Sequence, residues 1–66
     1  MSPCASQLAI RRCIAGCMRA RDRRGIWQNE RALQQRLLAQ GCTPTIARLT
    51  AQAAAGVAET IRRTAP

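Results

Sequence analysis

This 66-residue sequence has no histidine, no tyrosine and no phenylalanine, and its only aromatic residue is Trp27. Without histidine it lacks the commonest general base and the usual activator of a cysteine nucleophile. Its three carboxylates, Asp22, Glu30 and Glu59, are scattered along the chain, and no glycine-rich phosphate loop accompanies them. These absences predict that the protein is not an enzyme and that it uses no cofactor.

Lysine is absent as well, so all 11 basic residues are arginines, and against three acidic residues they give a net charge of +8. Such an excess of positive charge favours partners that are polyanions, namely nucleic acid, an acidic protein surface or anionic lipid. Arginine suits phosphate in particular because its planar guanidinium binds two oxygens at once. Nucleic acid is therefore one of the partners that the composition predicts.

No apolar run is long enough to span a bilayer, and the residues before Leu8 contain no positively charged leader region. We therefore expect a cytoplasmic protein without a membrane partner. A membrane-surface helix over residues 3–24 is a weaker alternative, because its cysteines and alanines would make a poor lipid anchor. A chain this short forms one domain, residues 1–66, with a thin core that a homodimer would help to stabilise.

Abundant alanine and few strand-forming residues predict an all-α protein, specifically a three-helix bundle. The first helix is expected from Pro3 to about Arg23, with Gly25 as its left-handed C-cap. Asn29 is the expected N-cap of the second helix, which Gly41 ends. The apolar positions with helical spacing, predicted to face inward, are Ile10, Cys13, Ile14, Cys17 and Met18 in helix one and Leu33, Leu37 and Leu38 in helix two.

The third segment begins with Thr43 as N-cap and Pro44 at the first helical position. Its larger apolar residues recur with helical spacing, at Ile46, Leu49, Ala53, Val57 and Ile61. Two structures fit this pattern, either one long helix or a helix-turn-helix. In the second case residues 44–50 form one helix, residues 51–54 the turn and residues 55–63 the recognition helix.

The run Ile46-Ala47-Arg48-Leu49-Thr50, with Val57 eleven residues after Ile46, resembles the DNA-binding helix-turn-helix of site-specific resolvases, invertases and small bacterial regulators. The resemblance covers residues 43–63 and implies a transcriptional or mobile-element regulator. Ala51 departs from the family, whose members usually carry glycine or another residue tolerant of positive φ at this position. A left-handed alanine would cost about 1–2 kcal/mol. The single long helix therefore stays open.

In a DNA-binding protein the exposed side of the third segment would contact bases, and arginines would contact phosphates. The residues predicted to bind nucleic acid are Arg19, Arg21, Arg23, Arg24, Arg48, Gln52, Glu59, Thr60, Arg62 and Arg63. Glu59 is also expected to form helical ion pairs with Arg62 and Arg63.

The alternative function is a protein-binding helical module in which Trp27 and nearby arginines anchor a partner, since tryptophan and arginine dominate binding hot spots. Phage or mobile-element inhibitors of host machinery, such as anti-CRISPR proteins, are comparable in size. Trp27 has a structural interpretation too, in which it packs with Ile26 across the corner between the first two helices and caps the core.

The four cysteines do not have the spacing of a zinc site. Cys4 and Cys13 on one helix would be about 13 Å apart at 1.5 Å per residue, whereas zinc ligands lie about 2.3 Å from the metal. No metal is therefore expected, and Cys13 and Cys17 are predicted to be core residues. Whether Cys4 pairs with Cys42 in an oxidised sample stays open.

Overall fold

The computed structural model describes residues 4–65, with side chains from residue 7 onward, and in that range it contains three α-helices and no strand. The helices are α1 (Cys4–Arg19), α2 (Arg23–Ala39) and α3 (Pro44–Thr64). Each packs against the other two, which confirms the predicted all-α three-helix bundle. None of these helices is long and apolar enough to cross a membrane.

Consecutive helices run antiparallel, as their short connections require. The Sγ of Cys13 donates to the carbonyl oxygen of Asn29 at 3.5 Å, and that of Cys17 to the carbonyl oxygen of Ile26 at 3.8 Å. Later residues of α1 therefore lie beside earlier residues of α2. As a result, the end of α1, the start of α2 and the end of α3 share one end of the bundle.

The corner between α1 and α2 lies at residues 20–22, earlier than predicted. Asp22 is the N-cap of α2, and its Oδ1 accepts a hydrogen bond from the Gly25 N–H at 2.9 Å. The prediction that Gly25 ends helix one in a left-handed conformation is wrong, because Gly41 is the only positive-φ residue within 4–65. The carboxylate cap prevails since it satisfies one of the free N–H groups at the start of α2.

Because α2 begins earlier than predicted, Asn29 and Gly25 also have different roles from the predicted ones. Asn29 is not an N-cap but lies within α2, where its Nδ2 donates to the carbonyl oxygen of Gly25 at 2.8 Å. Gly25 is needed for close approach instead, because a Cβ there would lie 3.0 Å from the Cβ of Ala20. Arg23 and Arg24 thus begin α2 rather than ending α1.

The second connection follows the sequence prediction. Gly41, with φ 96°, comes directly after the C-cap of α2. Thr43 is the N-cap of α3, its Oγ1 accepts from the Ile46 N–H at 3.3 Å, and Pro44 occupies the first turn. From there α3 continues without a break to Thr64, so the structure has the single long helix and no turn at residues 51–54. Alanine at position 51 favours this outcome, since it is the best helix former.

The core side of α3 is made of alanine. We call the four buried residues the alanine seam: Ala47, Ala51, Ala54 and Ala58, each at most 3% exposed. Opposite them the core contains Ala9, Cys13, Cys17, Leu33 and Leu37. Small side chains let helix backbones approach closely, so a thin core can still be well packed.

The larger apolar residues of α3 point outward. Ile46, Leu49, Val57 and Ile61 are 39–53% exposed, and Ala53 between them is exposed as well. We call these five residues the outward face. An apolar stripe usually marks the buried side of a helix; here the buried side is the alanine seam. Met18 of α1, predicted to face inward, is also exposed at 39%.

The structure describes the side chains of three of the four cysteines. Cys13 and Cys17 are buried at 4% and 1% exposure, which confirms them as core residues. Cys42 is half-buried and free. The side chain of Cys4 lies outside the described residues, and so does the proposed contact between Cys4 and Cys42.

Candidate functional site

The positive charge of the protein lies at its surface. All 11 arginines are exposed, and no polar or charged side chain within the described part of the chain is buried. Among these residues one ion pair is formed, between Arg63 and Glu59, at 2.9 Å. The Arg62 partner predicted for Glu59 is therefore not formed. The remaining arginines are available to an anionic partner.

Six of the arginines collect at one end of the bundle, which we call the arginine end. They come from the last turn of α1, the corner, the first turn of α2 and the last turn of α3: Arg19, Arg21, Arg23, Arg24, Arg62 and Arg63. They outnumber the three carboxylates of the whole chain. This end therefore carries a local positive excess.

The first turn of α2 is electrostatically unusual. It carries Arg23 and Arg24 and no acidic residue, although the N-terminal end of a helix is itself positive. The Asp22 carboxylate at the N-cap offsets part of this repulsion. A bound anion would offset more of it, since negative groups are stabilised at helix N-termini.

A groove of about 830 Å³ opens between α2 and α3 next to the arginine end. From α2 it is lined by Arg23, Ile26, Trp27 and Glu30. From α3 it is lined by Gln52, Ala55, Gly56, Glu59, Arg62 and Arg63. The two sets have helical spacing on their own helices and meet because the helices are antiparallel.

Trp27 is the largest side chain and the only aromatic one that lines this groove. Its side chain is 53% exposed, so the interpretation of Trp27 as a residue that caps the core is wrong. Ile26 takes that position, being half-buried against the core cluster. The guanidinium carbon of Arg31 lies 5.2 Å from the centre of the indole ring, within the range of a cation–π contact.

The groove brings together six of the eleven residues predicted as binding residues: Arg23, Trp27, Gln52, Glu59, Arg62 and Arg63. Arg19, Arg21 and Arg24 belong to the arginine end but do not line the groove. Arg48 is exposed about 22 Å along α3 from Arg63, at 1.5 Å per residue. Thr60 is exposed as well, and its Oγ1 donates to the carbonyl oxygen of Gly56 at 3.0 Å.

Four groove residues were missed from the sequence: Ile26, Glu30, Ala55 and Gly56. Glu30 could have been predicted from its spacing, because it lies seven residues after Arg23 and therefore on the same side of α2. The prediction that helix one extends to about Arg23 puts Arg23 and Glu30 on different helices, so it does not show that they share a side. Gly56 was assigned to the interior of a recognition helix that the structure does not form.

None of the cysteines whose side chains the structure describes lines this groove. Burial raises the pKa of the Cys13 thiol to about 12, and it also raises the pKa of Cys17, so both thiols stay protonated at neutral pH. Across the described ranges no group of three or more cysteine or carboxylate side chains is placed to hold a metal ion.

Comparison of the chain with protein-family models, with curated proteins and with solved structures finds no match.

Proposed function

We propose that this chain is a small basic DNA-binding protein that holds the phosphate backbone with its arginine end. The observation that carries the proposal is that six exposed arginines, from three helices and the α1–α2 corner, lie at this end next to a groove. Phosphate contacts of this kind supply most of the affinity for nucleic acid and read no sequence. A transcriptional or mobile-element regulator built this way depends on charge for affinity.

Base reading by a recognition helix is not part of the proposal, because α3 is unbroken. The resemblance to resolvase and regulator helix-turn-helix units rested on a turn at residues 51–54. Ala54 of the expected turn and Ala58 of the expected recognition helix are buried in the bundle and are not exposed to a DNA groove. The proposal therefore consists of phosphate contacts by Arg23, Arg62 and their neighbours and includes no base contacts from α3.

The test is a titration of a fluorescently labelled 15-base-pair duplex at several salt concentrations, followed by anisotropy. Affinity should fall steeply with salt, with a log–log slope of about −0.9 for each phosphate contacted. R23Q/R62Q should weaken binding and reduce the slope by about two, because it removes two phosphate contacts. Absence of binding at low salt would contradict the proposal.

The matched control is R36Q/R48Q. Arg36 lies in the last turn of α2 and Arg48 near the start of α3, so both are at the opposite end of the bundle. The charge change is the same as in R23Q/R62Q, which separates contacts at the arginine end from the general effect of net charge. Equal losses in the two variants would mean that binding is not localised at the arginine end.

A second candidate function, a protein-binding helical module, is favoured by the outward face of α3. Its four large aliphatic residues are exposed along about 22 Å of helix, and none of the five residues is charged. Exposed apolar surface of this kind marks interaction sites. The partner that best fits the outward face is a second copy of the chain. Because this face is uncharged, two highly basic molecules can associate through it without placing arginines against each other.

The test of this candidate is the mass in solution by sedimentation equilibrium between 5 and 500 μM. A dimer that V57D converts to a monomer would support it, with Q52D as the control for an added carboxylate on the groove side of α3. A monomer at every concentration would exclude the second copy as the occupant of the outward face. DNA binding by a monomer would leave the first proposal intact.

A further inference from the structure

We propose that the groove between α2 and α3 takes an unpaired base, so that the protein prefers single-stranded to duplex nucleic acid. In this arrangement the base stacks on Trp27 and the flanking phosphates contact the arginine end. The inference rests on the proposed nucleic-acid function and specifies which form of nucleic acid that site accepts.

The groove is large enough for a nucleotide. Its volume of about 830 Å³ lies within the roughly 300–1,000 Å³ of typical small-molecule sites. Bases in a duplex are stacked and present only their edges, so they cannot enter such a groove without being flipped out. A single strand can place a base there without first breaking a base pair.

Trp27 supplies the stacking surface. It is the only aromatic residue of the chain, it is 53% exposed, and it lines the groove. Arg31 lies over the ring at 5.2 Å from its centre, which helps to fix the indole orientation. Proteins that bind single strands combine such aromatic platforms with basic residues that track the backbone, and each stacked base contributes about 1–3 kcal/mol.

The charges around the groove separate the base from its phosphates. Glu30 and Glu59 line the groove and would repel a phosphate placed inside it. Arg23 and Arg62 line it too, without an ion-pair partner among residues 4–65, while Arg63 is paired with Glu59. An uncharged base fits between the carboxylates, and the phosphates on either side of it reach the arginines.

The experiment compares a labelled 15-nucleotide oligo-dT with a 15-base-pair dA·dT duplex at the same salt concentration. Anisotropy measures binding, and Trp27 emission, which is the protein's whole intrinsic tryptophan signal, measures stacking. The single strand should bind at least about fivefold more tightly and quench the emission, because one stacked base is worth about 1 kcal/mol or more. The duplex should bind without quenching.

Two variants localise the effect. W27L removes the stacking surface and should weaken single-strand binding about tenfold while leaving duplex binding within about twofold. G56L adds a branched side chain to the groove from the α3 side, where nothing lies within 4 Å of a Cβ at Gly56. It should weaken single-strand binding similarly. The matched control is A53L, which adds the same side chain on the outward face of α3.

The outcomes distinguish this inference from the function on which it rests. If neither nucleic acid binds at low salt, the proposed function fails and this inference fails with it. If both bind equally, Trp27 emission stays unchanged and G56L behaves like A53L, the inference is overturned. The proposal of phosphate binding at the arginine end would survive that second result.

Discussion

Gly16 in α1 and Gly56 in α3 are both helical, but their surroundings differ. A Cβ at Gly16 would overlap the side-chain amide of Asn29, which is held by its hydrogen bond to Gly25. A Cβ at Gly56 would meet no atom within 4 Å. Gly16 therefore allows α1 and α2 to approach at the height of Asn29, whereas Gly56 has no packing role.

The two glycines make a matched pair for a stability test. G56A should raise the free energy of unfolding by about 0.5–1 kcal/mol, because alanine is the better helix former. G16A should lower it by about 1–2 kcal/mol, since displacing the Asn29 amide costs more than the propensity gain. Urea unfolding followed by circular dichroism measures both. In G16A/N29A the loss should be largely relieved, and a loss equal to the sum of the single variants would contradict the overlap.

The buried thiols predict a loss of stability in alkali. The Cys13 thiol has an ordinary pKa of 9.0 when unfolded and about 12 when folded, and the pKa of Cys17 is raised too. Between pH 9 and 12 the folded chain therefore binds more protons than the unfolded chain. Stability is fully present below pH 9 and falls above it, by up to about 1.4 kcal/mol per pH unit for the Cys13 thiol, and the raised pKa of Cys17 adds a fall in the same direction.

Urea unfolding at pH 8.5, 9.5 and 10.5 measures this dependence. The chain has no lysine or tyrosine, which are the other side chains that titrate in this range. C13A/C17A should lose most of the slope, although it will be less stable overall. A wild-type stability that is constant between pH 8.5 and 10.5 would show that the thiols are not protected as the fold implies.

At the scale of the helices, the all-α class, the first two helices and two of the caps could be predicted from the sequence, which left open whether the third segment is one helix or two. Thr43 with Pro44 and the left-handed Gly41 depend on local hydrogen bonding and backbone geometry, so the sequence carries them directly. The α1–α2 corner was predicted wrongly, because Asp22 and Gly25 are both residue types that mark helix boundaries and the sequence alone does not show that the Asp22 carboxylate caps α2.

The orientation of α3 and most of the groove also depended on tertiary packing. Pattern analysis gives the larger apolar residues more weight than alanine, yet the alanine seam faces the core. The groove requires α2 and α3 to be placed antiparallel at the correct register, which sequence spacing on one helix does not specify. Five of its residues, such as Arg62 and Trp27, can be predicted because charge or aromaticity marks them, and Gln52 because it is a polar residue of the third segment.

The alanine seam can be tested against the outward face of the same helix. A51L should destabilise the protein by about 1–3 kcal/mol, because Ala51 is fully buried and a larger side chain forces the helices apart. A53L adds the same atoms at an exposed position and should change stability by less than about 0.5 kcal/mol. Chemical unfolding of both variants measures the difference. Equal stability changes in A51L and A53L would mean that α3 is rotated about its axis, with a different side facing the core.

At the scale of the whole molecule, a net charge of +8 on a 66-residue chain makes self-repulsion significant. All 11 arginines are exposed, so dissolved ions can screen them, and the Debye length falls from about 30 Å at 0.01 M to about 8 Å at 0.15 M ionic strength. We expect the melting temperature to rise over this range of sodium chloride. R11Q/R12Q, which lowers the net charge by two at α1, should show a smaller rise. A melting temperature independent of salt would argue against repulsion as a significant term.

Alanine has no side-chain torsion to lose on burial, so α3 joins the bundle at almost no cost in rotamer entropy. The interior and the exterior of this helix are consequently under separate constraints. Folding requires small residues on one side and sets few conditions on the other. A library that randomises positions 46, 49, 53, 57 and 61 should therefore yield mostly folded members, and the chain can serve as a scaffold on which new surfaces are selected.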